Sequence, residues 1–250
     1  MRWPPNCWLA VAGAAVLSAS PAHAGVVIGG SGGSTTVATR GTSAGTVQLN
    51  FGGYNTVPTA TISGLTSKLT LTFDSVLGNT YKFIYTAANT SSSPITASRL
   101  SGFAFDVDPN VIGATSTAPF AYTSFNKNYP NTIGVVEVCF KDAKTGSCAG
   151  GASGGLKLGE AGTGSFSLYF DSTKPLPSTI TLSNFAVRYQ AIDSPLLKLN
   201  GASASGRVTS ALVPVPEPGT WMLMLLGFGA IGAAMRRRRE ELLAPSLRSA

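Results

Sequence analysis

KLTLTFDSVLGNTYKFIYT, residues 68–86, decides the fold. Leu69, Leu71 and Phe73 alternate with threonines, and Tyr81, Phe83 and Tyr85 alternate with Lys82 and Ile84. A period of two puts each apolar set on one face of a strand. Gly78-Asn79 between the two runs is a hairpin signal. The same alternation recurs outward along the chain. Phe103, Phe105 and Val107 share a face, as do Phe166, Leu168 and Phe170, and Ile180 and Leu182 open a block that runs on through Phe185, Val187 and Tyr189. The run 133–140 is apolar and β-branched. Before Trp221 no segment sustains the i, i+3, i+4, i+7 stripe of an amphipathic helix. Short strands between turn-rich spacers predict an all-β domain over 58–200, an antiparallel sandwich of jelly-roll type.

Around that domain the composition shifts. Residues 25–57 read as a Gly/Ser/Thr-rich leader or a first edge strand, and 201–215 as a small-residue and proline linker. The first 24 residues, MRWPPNCWLAVAGAAVLSASPAHA, have the order of a secretory signal: Arg2, an apolar run over 8–19, then Ala22-His23-Ala24. Cleavage is expected between Ala24 and Gly25. It would remove His23, the one histidine of the chain, together with Cys7. Cys139 and Cys148 then remain, and an even count in an exported chain reads as a disulfide. The alternative is two free thiols or half a metal site, for which other soft ligands are lacking.

The chain has 250 residues and a formal charge of +7, with 12% charged residues. Residues 25–215 hold twelve Lys/Arg against eight Asp/Glu, a balance of +4, and the basic residues are scattered. Nucleic-acid binding needs a concentrated patch, so no nucleic-acid partner is expected. Much of the remaining excess is the terminal run Arg236, Arg237, Arg238 and Arg239.

No catalytic constellation stands out. G-x-S-x-G occurs at 29–33 and 151–155, but both lie in glycine-rich runs and a nucleophile elbow needs a histidine base. Loss of His23 equally removes the usual histidine zinc sites, and no metal or cofactor is expected. Asp106-Val107-Asp108-Pro109-Asn110 begins like an EF-hand loop, but Val111 and Thr117 stand where glycine and glutamate are needed. A strand end followed by a turn is the simpler reading, with an irregular calcium site as the alternative. Two carboxylates could hydrolyse a glycan without histidine. The candidates are Asp106, Asp108, Glu137, Asp142, Glu160 and Asp171, no spacing singles out a pair, and Glu137 is expected on an exposed strand face. Tyr122, Phe125 and Tyr129 could form a sugar-stacking surface in a loop over 115–131, or simply pack beneath it.

The last segment is VPEPGTWMLMLLGFGAIGAAMRRRR, residues 215–239. Its GFGAIG matches a dinucleotide fingerprint, but it lies inside an apolar run and lacks the βαβ context. As a helix, 221–235 would reach about 22 Å, short of the roughly 30 Å hydrocarbon core. The four arginines behind it obey the positive-inside rule and would lie in the cytoplasm. Pro216-Glu217-Pro218, Trp221, the short apolar run and Arg236–Arg239 together resemble a PEP-CTERM sorting signal over 216–239, followed by an extension over 240–250. The resemblance implies transient anchoring in the inner membrane of an exopolysaccharide-producing Gram-negative bacterium, and recognition by an exosortase, a membrane-embedded cysteine protease-transpeptidase.

In the body, SRLSGFAFDVDPNVIGATST (98–117), NYPNTIGVVEVCF (128–140), the glycine-rich segment after Cys148 and LSNFAVRYQAI (182–192) resemble the cistern family of PEP-CTERM proteins. That resemblance implies a surface or matrix protein with a paired-cysteine β domain, and it brings no catalytic residues. The function expected from the sequence is therefore a non-enzymatic envelope or matrix protein that meets exopolysaccharide or other surface glycans. The alternatives are a carbohydrate-binding module and a carboxylate-based glycan hydrolase.

Overall fold

The computed structural model describes residues 27–28, 35–38, 45–55, 61–177, 179–212, 226–229, 231 and 235–236. Among the described residues thirteen strands follow one another: β1 Val27–Ile28, β2 Thr35–Ala38, β3 Thr46–Tyr54, β4 Thr61–Leu77, β5 Thr80–Asn89, β6 Ala97–Asp108, β7 Gly113–Ser116, β8 Tyr122–Tyr129, β9 Gly134–Lys141, β10 Leu156–Lys157, β11 Ala161–Tyr169, β12 Thr179–Ser194 and β13 Leu199–Leu212. The 68–86 stretch forms the β4–β5 hairpin, with Thr72 opposite Ile84 and Phe73 opposite Phe83. Gly78 turns the chain with φ +55°, a left-handed value that glycine adopts without steric cost.

The expected pair of face-to-face sheets is instead one sheet. Its strands run β7-β11-β5-β4-β3-β13-β12-β6-β9-β8, every pairing is antiparallel, and the edge strands β7 and β8 approach each other. The sheet is thus nearly closed into a barrel. Bulges explain the curl: register shifts interrupt β3–β4 at Gly52/Tyr54, β4–β5 at Phe73/Ser75, and β12 at three places against β6. An extra residue in one strand bends it and sharpens its twist. Long strands such as β4 and β12, at 17 and 16 residues, can therefore wrap around the core instead of stopping at a sandwich edge.

Three expectations about the extent of elements change with this. Residues 199–212 are a central strand between β12 and β3, not part of a linker. Its small residues answer to packing: a Cβ on Gly206 would lie 2.5 Å from Val187 and 2.9 Å from Tyr189. Upstream, β3 pairs with both β4 and β13, so 46–54 is interior sheet and not an edge. The segment 115–131 is likewise not one long loop, since β7 and β8 occupy most of it.

The enclosed core is aromatic. Phe83, Tyr85, Phe103, Phe105, Phe140 and Phe166 are each at most 1% exposed and meet ring to ring. The hydroxyls that cannot avoid this core find partners. Tyr85 donates to the Thr117 carbonyl at 2.9 Å, and Tyr189 bonds the Ser67 hydroxyl at 2.7 Å. Among the described residues no helix is long and apolar enough to cross a membrane. Of the expected helix 221–235, residues 226–229, 231 and 235 are described and are helical. The signal segment, the Ala24/Gly25 junction, Pro216-Glu217-Pro218, Trp221 and Arg237 to Arg239 lie outside the described residues.

Candidate functional site

Side chains that alternate with the core rings point outward, and on β9, β6, β12, β13 and β3 they line up across the sheet. The register gives one row as Lys141, Gly102, Arg188, Ser205 and Tyr54. The adjacent row is Cys139, Ala104, Ala186, Arg207 and Gly52. Part of this outer face is buried. Tyr54, Ala104, Tyr129, Ile133, Val136, Cys139, Cys148 and Ala186 form a second apolar cluster there. Two pieces of chain cover it: the tip of the β8–β9 hairpin and the loop after β9.

The loop is fastened by the Cys139–Cys148 disulfide, whose Cα atoms are 5.9 Å apart. Lys141, 1% exposed, donates its ammonium to the carbonyls of Thr145 and Ser147, and Gln190 donates to the carbonyl of Ala149. Asp142 Oδ1 accepts from the Gly151 N–H at 2.6 Å. Burial raises the Asp142 carboxyl above the usual range. The glycines of the second G-x-S-x-G match have a packing role here. A Cβ on Gly154 would stand 2.5 Å from Asp142, and one on Gly155, at φ +73°, would stand 2.3 Å from the Leu100 carbonyl.

The hairpin tip brings Asn131 over Arg188. The guanidinium Nη1 donates to Asn131 Oδ1 at 2.5 Å and to the Ser205 hydroxyl at 3.4 Å. Ser205 in turn donates to the Pro130 carbonyl and to Asn131 Oδ1, at 3.0 and 3.1 Å. Arg188 Nε and Tyr129 Oη are both buried and both lack a hydrogen-bond partner among the described residues. Burial pushes the Tyr129 phenol far up, opposed by the positive charge of Arg188. Sequence reasoning missed this pairing. Its one signal was an arginine at an outward position between two core residues, Val187 and Tyr189.

The acids behave differently. Glu137 was expected on an exposed face, but it is half-buried and accepts the N–H groups of Val107 at 2.9 Å and Val111 at 2.7 Å. Its own N–H donates to Asp106 Oδ1 at 2.9 Å, and Asp106 Oδ2 accepts from Asn184 at 3.0 Å. Glu137 and Asp106 therefore hold the turn after β6 and a bulge in β12, where Asn184 has φ +51°. Among the described residues no group of three or more acids, cysteines or histidines is placed to hold a metal. The aromatics of the expected sugar surface diverge: Tyr129 is 1% exposed, Phe125 packs on the core, and Tyr122 is 45% exposed.

Burial, then the charges of Asp106 and Asp108, raise the Glu137 carboxyl above its usual range against the pull of its two backbone bonds. Its folded form binds the proton more tightly than its unfolded form. The resulting stability is present below the ordinary glutamate value and is lost as pH rises through the raised one. Glu137→Gln keeps only one acceptor for two N–H groups and should cost about 1–2 kcal/mol. It should also remove part of the downward slope of stability against pH, with the part due to Asp142 remaining. Urea unfolding at pH values from about 4 to 7, wild type against variant, measures both effects.

The tail supplies the link to known proteins. Residues 214–239 match the PEP-CTERM protein-sorting motif. The chain carries a PEP-CTERM sorting signal. Such a motif marks a secreted protein that is held through its C-terminal tail and sorted by an exosortase. No curated protein matches the chain. The PEP-CTERM match lies beyond β13, so it addresses the β domain without describing what the domain binds.

Proposed function

We propose that this PEP-CTERM protein is a non-enzymatic structural component of the cell envelope or extracellular matrix. The sorting motif at 214–239 is the observation that carries the reading. An exosortase would engage Pro216-Glu217-Pro218 while the apolar run and Arg236 to Arg239 hold the chain in the inner membrane. The β domain would then be released to the surface, where exopolysaccharide or other glycans of a biofilm are its expected surroundings. The resemblance of 98–192 to the cistern family fits the same role. A non-catalytic domain is further supported by the use of Glu137 and Asp106 as backbone clamps, which leaves them without the open pair that glycan hydrolysis needs.

Mass spectrometry of the C-terminus, on protein recovered from the producing cells and their medium, tests the proposal. Wild-type protein is expected to end near 216–218. Triple replacement of Pro216, Glu217 and Pro218 by alanine should leave the chain intact to Ala250 and in the membrane fraction. Wild-type protein that itself stays intact and membrane-held would overturn processing and leave a plain anchor.

A further inference from the structure

We propose that the outer-face cluster around Arg188 is a binding site for a carboxylate. Three observations converge there. First, Arg188 is a buried residue, 7% exposed, and meets no carboxylate: the ion pair found among the described residues is Lys174–Asp171, in the segment before β12. Desolvating a cation without a counter-ion is costly, and an arginine cannot escape by losing its proton. Second, both bonds the guanidinium makes use Nη1, to Asn131 and Ser205. Nε, on the edge that accepts a carboxylate side-on and bidentately, is buried with nothing to donate to. Third, Tyr129 Oη is another buried donor without a partner among the described residues, in the outer-face cluster and on the hairpin whose Asn131 holds Arg188.

The surroundings select the ligand's charge. Lys141 lies in the same cross-strand row as Arg188, and Arg207 lies in the next, with its Nε on Tyr54 Oη at 3.2 Å. The two rows hold three cations and no acid. Asp106 on β6 and Glu137 on β9 are occupied by Asn184 and by backbone N–H groups, and Asp142, in the loop after β9, accepts from the Gly151 N–H. Water at these donors would leave the charge unbalanced. A carboxylate accepts from donors of this kind and supplies the missing charge. Asn131 and Ser205 orient the guanidinium for it by engaging the opposite nitrogen.

The carboxylate could be that of a free small acid or of a uronic acid within an acidic polysaccharide, and the test separates the two. Capture at this site is independent of sorting, which resides in 214–239. Titration calorimetry on the full chain in detergent, at constant ionic strength set with sodium chloride, would use sodium glucuronate, sodium acetate, polygalacturonate and neutral dextran. Wild type should bind glucuronate. Arg188→Gln should bind about a hundredfold more weakly, and Tyr129→Phe roughly tenfold more weakly. Arg188→Lys, which keeps the charge and loses the fork, should fall between wild type and Arg188→Gln. Tighter binding of polygalacturonate than of the monomer, lost in the same variants, identifies an acidic glycan as the source. Binding of glucuronate and acetate without the polymer identifies a small acid.

The proposal is overturned if wild type binds neither monomer nor polymer above the chloride background. It is equally overturned if dextran binds as well, or if a folded Arg188 or Tyr129 variant binds as wild type does. Circular dichroism of each variant establishes folding. Tyr129→Phe, which removes one atom, keeps the test decisive if the arginine variants do not fold.

Discussion

Replacing Phe166 with alanine should cost about 3–5 kcal/mol of stability, a large share of the roughly 5–15 kcal/mol that holds a domain together. The ring projects from β11 into the middle of the enclosed space. It stacks on Phe83 at 4.8 Å and meets Phe140 at 5.1 Å, Phe105 at 5.6 Å, Phe103 at 6.1 Å and Tyr85 at 6.3 Å. Two of those rings belong to β5, beside β11 in the sheet; the other three belong to β6 and β9, which reach the same point from the opposite wall. Phe166 therefore joins the two halves of the curled sheet. Its neighbours are fixed by cross-strand pairing, and the void left by truncation cannot collapse without breaking register. A urea midpoint that falls with an unchanged slope is the expected result. On the neighbouring strand Ile84 is 43% exposed, and Ile84→Ala should stay within about 0.5 kcal/mol. Comparable losses at both positions would refute the placement of Phe166 at the junction.

That core could be read in the sequence because alternation is a property of neighbours. Leu69, Leu71, Phe73, Tyr81, Phe83 and Tyr85 all lie on the face the pattern assigned them. Nothing in 68–86 says how far the sheet will curl, and curl decided between two layers and one nearly closed barrel. Two of the bulges responsible sit at Asn184, with φ +51°, and Ala191, with φ +48°. No turn-forming sequence announces a bulge there, since the strand continues on both sides. The small residues of 201–206 misled for a related reason. Glycine and alanine signal a linker when nothing lies beside them, and tight packing when Val187 and Tyr189 do. Those partners are closed by long-range pairing, which local composition cannot encode.

The candidate site divides in the same way. The pairing of the two cysteines was legible from their even number once residues 1–24 are read as a secretory signal. Arg188 and Tyr129, 59 positions apart by number, become neighbours only because β8 folds back on β9 while β12 runs beside β6. Glu137 looked exposed because it alternates with Val136 and Val138. The turn after β6 then covers it and draws both its oxygens to N–H groups.

Reduction of Cys139–Cys148 should destabilise the β domain by about 2–3 kcal/mol, the chain-entropy value for a closed loop of roughly ten residues. Two features of the loop decide how that loss is distributed. Lys141, Asp142 and Gln190 bind the loop by groups outside the bridge, so reduction should loosen its attachment without detaching it at once. Cys139 and Cys148 are also buried with Tyr54, Tyr129 and Ile133, so a swelling loop would expose the apolar cluster that covers the outer face. The bridge thus acts on two levels, limiting the unfolded chain and sealing the second core in the folded one. Comparing oxidised with reduced wild type avoids the cost of burying new hydroxyls that Cys→Ser variants would add. The expected outcome is a lower urea midpoint, with faster amide exchange concentrated in 142–155 and little change in β4 and β5. Equal stability of the two forms would mean that the backbone contacts of Lys141 and Asp142 alone hold the loop. Exchange that rises evenly across the domain would mean that the bridge supports the whole barrel and not just its outer cover.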